Sequence, residues 1–227
     1  MNNYESTIKF WDKRFGKILS TDKRYDPSKP MTIIEIEEGL RWLINETDSI
    51  IDFGCGTGNI LFRSLFLGTK KAIGIDISRR AIELANDTSI TNKMDTKTDF
   101  KIGGVELLKK IEDNSIEVGA SFNTIDNILP DDAVFVLQEM NRILKNNGKL
   151  LIKLNDVIPK KVFDEDDYFQ LISENFYKEK SGLYFWNLSD SIFKEIINPY
   201  FELVKYVDVP FQKTNYKNRL YYLENRK

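Results

Sequence analysis

The apolar run Ser49-Ile50-Ile51-Asp52-Phe53 passes without a break into Gly54-Cys55-Gly56-Thr57-Gly58, three glycines in five residues, and then into the largely apolar segment 59–67. A buried strand, a glycine turn and a helix start, in that order, form the ligand-binding unit of doubly wound α/β sheets. Around it, residues 33–155 alternate short apolar runs with longer amphipathic stretches, the pattern of βαβ units on a parallel sheet. Helices are expected over 33–45, 59–67 (closed by Gly68), from a Ser78 cap to about residue 86, and over 130–144. Strands are expected over 49–53, 72–76, 100–102, 118–122 and, after an Asn147-Gly148 turn, 150–154. The rhythm then changes. Residues 156–187 are rich in acids and aromatics, and Phe169, Leu171, Ile172 and Phe176 can line one helical face. A helix over 189–197 and two strands, 201–209 and 220–223, close the chain.

The side chains around the glycines restrict the ligand. A dinucleotide fingerprint needs Gly-x-Gly-x-x-Gly, and here Asn59 stands at the third glycine position. Asp52 sets a carboxylate just before the turn, which repels a pyrophosphate and attracts a cation. The Lys and Ser/Thr of a phosphate-binding loop are missing. The next strand ends in Asp76, 22 residues beyond Gly54, about where an acid that accepts both ribose hydroxyls belongs. These features favour a cationic adenosyl ligand over a polyphosphate.

Asp52 to Gly58, followed by Gly74-Ile75-Asp76-Ile77-Ser78, resembles motifs I and II of the class I S-adenosylmethionine-dependent methyltransferases. Met140 to Leu150 is similar to the helix–turn–strand segment of that group, so the resemblance covers roughly residues 45–155. It implies a Rossmann-like α/β fold, a doubly wound, seven-stranded, mostly parallel sheet with an antiparallel last strand. It implies S-adenosylmethionine as cofactor, held by Asp52, Gly54, Cys55, Gly56, Thr57, Gly58, Asp76 and Ile77. The group often has Gly-Asp after the third strand; here Gly103-Gly104 stands there, leaving adenine to backbone near Gly104 and Val105, or to Asp99. Asn123 and Asp126 occupy the position of the catalytic motif, although the Asn/Asp-Pro-Pro-Tyr/Phe and Pro-Cys patterns of nucleic-acid enzymes are absent. Trp11-Asp12-Lys13-Arg14-Phe15 looks like the N-terminal element that helps to close the site in several small-molecule members.

One domain is expected: a helical cap (1–32), a cofactor-binding core (33–155), a substrate-lid insertion (156–187), and a C-terminal helix with a closing hairpin (188–227). Trp11, Phe15, Tyr168, Tyr184 and Trp186 are the candidate substrate contacts, and they suit a small, partly planar acceptor. With 33 basic against 35 acidic residues and no basic block longer than two, the chain lacks the footprint of a nucleic-acid partner. No apolar run approaches the roughly 18 residues of a membrane span. Histidine is absent, which removes the commonest general base and metal ligand. The one cysteine, Cys55, excludes a zinc cluster built on several thiolates and fits a reducing, cytoplasmic compartment, and the start of the chain has no signal-peptide order. The acidic run 164–167 reads as a solvated helix start rather than a metal site. The acceptor atom stays open, as do a donor-binding regulator without turnover, an aminopropyl transfer, and a protein or nucleic-acid acceptor.

Overall fold

A computed structural model describes residues 2–21, 23–165, 167–210 and 216–227. Helix α1 (Glu5–Leu19) and helix α2 (Ile34–Leu43) precede the alternating region. That region runs strand β1 (Ser49–Phe53), α3 (Asn59–Phe66), β2 (Lys71–Asp76), α4 (Arg79–Thr91), β3 (Thr98–Ile102), β4 (Ile116–Phe122), α5 (Pro130–Ile143) and β5 (Leu144–Leu154). After it come α6 (Lys160–Glu165), β6 (Phe169–Ser173), β7 (Phe176–Glu179), β8 (Tyr184–Trp186), α7 (Asp190–Ile197), β9 (Phe201–Pro210) and β10 (Lys217–Asn225).

The main sheet has seven strands in the order β3-β2-β1-β4-β5-β10-β9. β10 runs antiparallel to both of its neighbours, and the other pairs are parallel. Neighbouring residues of β1 point to opposite faces: Ile51 joins the core beneath α5 and α7, and Ile50 joins the core beneath α2 and α3. Both faces are covered, which is why β1 reads as a continuous apolar run rather than an alternation. The chain winds one way from β1 to β2 and the other way from β1 to β4. That reversal opens a crevice at the carboxyl ends of β1 and β4.

Several element limits differ from the sequence reading. Helix α4 continues to Thr91 because Thr88 and Ser89 are buried, with Ser89 Oγ 2.7 Å from Thr98 Oγ1 of β3. β5 begins at Leu144, and the Asn147-Gly148 turn is a bulge within it, where Asn147 adopts φ 58°. The larger difference lies in residues 169–186, which form a three-stranded antiparallel sheet in place of a helical face. Leu171 and Ile172, read as part of one buried stripe, are 62% and 49% exposed. Glu174-Asn175, with Asn175 at φ 56°, and Gly182, at φ 95°, mark the two turns. The acids of 164–167 end α6 rather than starting a helix: Asp164 accepts from Lys160, Asp167 pairs with Lys180, and Asp166 lies outside the described residues. Among the described residues, no helix is long and apolar enough to cross a membrane.

Candidate functional site

The glycine loop is built by its neighbours. The N–H groups of Gly54 and Cys55 both donate to Ile75 O, at 2.8 and 3.0 Å, which ties the turn to the end of β2. Asp76 completes the turn: Oδ2 accepts from Gly56 N at 2.7 Å, and Oδ1 accepts from Ser78 N at 2.8 Å. Burial pushes the Asp76 carboxyl up from its ordinary pKa, and the two N–H groups hold it back. Asp52, 2% exposed at the end of β1, differs. Its Oδ1 is buried without a hydrogen-bond partner. Burial, reinforced by the Asp76 charge, pushes its pKa up to about 8.

Above the loop lies a cavity of about 330 Å³. Its floor includes Asp52, Gly54, Cys55, Gly56, Thr57, Asp76 and Ile77, and one wall includes Gly103, Gly104 and Val105. Phe122, Asn123, Thr124, Asn127 and Ile128 form the side at the end of β4. The roof is α1 with the turn before it, through Tyr4, Thr7, Trp11 and Phe15; the Trp11 and Phe15 rings stack at 5.4 Å. Asp12 pins this roof at one end, where Oδ1 accepts from Ser78 Oγ at 2.6 Å and Arg80 N at 3.1 Å. At the other end, Tyr4 Oη donates to Asp132 Oδ2 at 2.5 Å and accepts from Leu129 N, while Ser6 and Thr7 donate to Gly182 O.

Several residues named from sequence lie elsewhere. Gly58 stands behind the loop as the left-handed N-cap of α3, where a Cβ would meet Phe100 Cζ at 2.9 Å. Asp99 pairs with Lys101 at 3.0 Å and does not line the cavity. Asp126 is buried away from the cavity: Oδ2 accepts from Asn155 N at 2.6 Å, and Oδ1 accepts from Asn127 Nδ2 at 3.1 Å. Burial pushes its pKa up to about 6, while Oδ2 is taken by the backbone after β5 and Oδ1 by the Asn127 side chain. Asn123 does line the cavity, with its Nδ2 turned to Asn155 Oδ1. Tyr168 donates to Glu179, Tyr184 donates to Asn3 O at 2.9 Å, and Trp186 packs against the main core; none of the three lines the cavity. The aromatic segment thus braces the roof, through Gly182 and Tyr184, instead of lining the cavity. Tyr4 and Thr7 were missed, although a signal existed. Residues 4, 7, 11 and 15 are spaced three, four and four apart, so extending the Trp11–Phe15 stripe upstream leads to them.

Chemically, the floor is acidic, because two buried aspartates face it and neither is paired with a basic side chain among the described residues. Cys55 is held as a thiol, its pKa raised by burial and by both aspartates. Among the described residues, no group of three or more His, Cys, Asp or Glu is arranged to hold a metal.

A model of the methyltransferase-domain family matches residues 44–224. The chain is 29% identical over 191 residues to the ribosomal protein L11 methyltransferase of Fusobacterium nucleatum, covering 74% of this chain and 58% of that one. It is 22% identical over 209 residues to the tRNA N(3)-methylcytidine methyltransferase of Schizosaccharomyces pombe, covering 87% and 65%. The 1,6-didemethyltoxoflavin-N1-methyltransferase of Burkholderia thailandensis, solved with 1,6-didemethyltoxoflavin and S-adenosylhomocysteine, matches with TM-score 0.67 at 12% identity, covering 86% of this chain and 80% of that one. The chain spans a little over half the length of the Fusobacterium relative it matches.

Proposed function

The chain belongs to the class I, Rossmann-like S-adenosylmethionine-dependent methyltransferases, and from that premise we propose that it transfers the donor's methyl group to a small acceptor bound beneath α1. The observation that carries this reading is the Asp52 carboxylate, buried at the cavity floor with one oxygen free of any partner. The residues present fit the donor, whose ammonium and sulfonium suit a floor of two carboxyl groups with no basic partner among the described residues. In this reading Asp52 faces the donor's cationic end, and Asp76 holds the ribose while fixing the loop through Gly56. Ile77, Gly104 and Val105 lie against the adenine, and Cys55 and Thr57 contribute loop backbone. The core 33–155 binds the donor, and α1 with the turn before it forms the roof.

When bound, the donor supplies a methyl group on a sulfonium, already a good leaving group. The chain's share of the chemistry is placement and water exclusion, which can account for about 7–11 kcal/mol of barrier. In this reading the donor's cationic end occupies Asp52, the cavity carboxyl with an unpartnered oxygen, and no further free general base faces the cavity among the described residues. The Tyr4 hydroxyl already donates to Asp132, and its pKa lies well above the ordinary phenol range through burial and that bond. The acceptor therefore arrives in its nucleophilic form. A roof of aromatics tied at both ends suits a molecule small enough to lie beneath it. A single buried thiol suits a reducing compartment such as the cytoplasm.

Calorimetry should detect binding of S-adenosylhomocysteine and not of NAD. Methyl-labelled S-adenosylmethionine, incubated with the protein and an extract of its own cells, should label the low-molecular-mass fraction. Label confined to protein or RNA would overturn the small acceptor, and NAD binding as tight as S-adenosylhomocysteine would overturn the donor. Asp76→Ala is expected to weaken S-adenosylhomocysteine by about 2–3 kcal/mol, roughly 30- to 150-fold, through lost charge-assisted hydrogen bonds. An unchanged dissociation constant would move the ribose site elsewhere.

A further inference from the structure

Lys149, Leu151 and Lys153 point to one face of β5, the face covered by α2. Lys149 is satisfied there: its Nζ donates to Trp42 O at 3.1 Å and lies 5.0 Å from the Trp42 ring centroid. Lys153, at the carboxyl edge, is half-buried with its Nζ 5.7 Å from the Phe122 ring centroid. It makes no side-chain hydrogen bond or ion pair among the described residues. Among the described residues, the one carboxylate whose field reaches it is Asp126, and both Asp126 oxygens already accept hydrogen bonds from Asn155 and Asn127. Burial lowers the Lys153 pKa to about 8, so the ammonium persists near neutrality at a cost.

The position of this ammonium gives it a use. Phe122, the ring beneath it, lines the cavity, and so does Asn123, whose N–H donates to Lys153 O at 2.7 Å. Lys153 does not itself line the cavity; it stands behind the wall at Phe122, its register partner on β4, with Asp52 on β1 beyond. We propose that Lys153 is an anion subsite for the acceptor, so that the molecule methylated beneath α1 carries a carboxylate or phosphate group that seats beside Phe122. This rests on the methyl-transfer reading and narrows its substrate class to small acidic acceptors. An arriving anion lifts the desolvation cost of an ammonium that has no ion-pair partner among the described residues.

The test follows the lysine directly. The full chain, labelled with ¹³C at lysine Cε and saturated with S-adenosylhomocysteine, is titrated with acetate, with inorganic phosphate, and with chloride at matched ionic strength. The Lys153 resonance is the one missing from the spectra of Lys153→Met and Lys153→Gln, and two replacements guard against one failing to fold. It is expected to shift saturably with acetate or phosphate and not with chloride, and its titration midpoint to rise by about one pH unit or more. A stronger response to acetate assigns a carboxylate, and a stronger response to phosphate a phosphoryl group. A resonance that responds alike to all three anions, or to none, while S-adenosylhomocysteine stays bound, overturns the subsite alone. Failure of S-adenosylhomocysteine to bind overturns the methyl-transfer reading and the subsite with it.

Discussion

Gly54→Ala is expected to destabilise the fold by about 2–5 kcal/mol and to abolish donor binding. Gly54 has φ 77°, a left-handed conformation that costs a residue with a Cβ about 1–2 kcal/mol. A Cβ there would also stand 2.0 Å from Thr124 Oγ1, 2.6 Å from its Cγ2 and 2.8 Å from its Cβ. Rotating Thr124 cannot relieve the overlap, because its own Cβ is inside the contact limit. Overpacking of this kind adds about 1–3 kcal/mol. Gly56 makes the contrast. Its φ is 53°, but a Cβ would meet only Phe15 Cζ at 3.6 Å, an ordinary contact between loop and roof. Gly56→Ala should therefore stay folded and lose affinity by intruding into the cavity. The pair is separated by urea unfolding and by calorimetry with S-adenosylhomocysteine. Adding Thr124→Gly to Gly54→Ala should recover the packing part of the loss and leave the backbone part. Wild-type stability and affinity in Gly54→Ala would refute this account of the loop.

The second large effect is a dependence on pH. Between about pH 4 and about pH 8 the ligand-free protein should lose stability as the pH rises, on the order of 1.4 kcal/mol per unit. The group responsible is Asp52, lifted from 3.8 to about 8 by burial and by Asp76. In that window the folded chain keeps a proton on Asp52 that the unfolded chain has released, so rising pH favours unfolding. Below the window both states are protonated, and above it both are ionised, so the slope vanishes. Asp126, raised to about 6, adds the same sign over a narrower range, and so does Asp76. Glu37 has the opposite sign, because the Arg63 guanidinium holds it down to about 2, but its contribution is lost only below about pH 4.5. Asp52→Asn should flatten most of the slope and be the more stable protein at pH 8. Affinity for S-adenosylhomocysteine should increase with pH up to about 8, with a proton released on binding, since the ligand's ammonium favours the ionised carboxylate. A slope unchanged in Asp52→Asn would assign the proton to another group.

The aromatic segment shows where pattern reading fails. Phe169, Leu171, Ile172 and Phe176 suit a helical stripe by spacing, yet the chain there turns at Asn175 and Gly182. Spacing over a short apolar run does not separate helix from strand, and the turn residues carried the better signal. The strands bury Phe163, Tyr177 and Phe185 in a separate small cluster, with the Phe163 and Tyr177 rings 3.9 Å apart. Their hairpin then presents Gly182 O to Ser6 and Thr7.

The cavity floor was legible from residues 50–78 alone, because a strand, a glycine turn and an acid at the next strand end are local features with local causes. Asp76 reaches the Gly56 and Ser78 N–H groups across only 20 and 2 residues, and the loop follows from that short range. The ties that hold the roof were not legible, because they join distant parts of the chain. Tyr4 reaches Asp132 across 128 residues, and Tyr184 reaches Asn3 across 181. Asp126 could be an active-site carboxylate or a backbone tether by sequence, and only the position of Asn155 N decided for the tether. Local backbone chemistry wrote the glycine loop and its aspartates into the sequence, whereas the ties of the roof and the seat of Lys153 against Phe122 exist only once the sheet brings its carboxyl ends together.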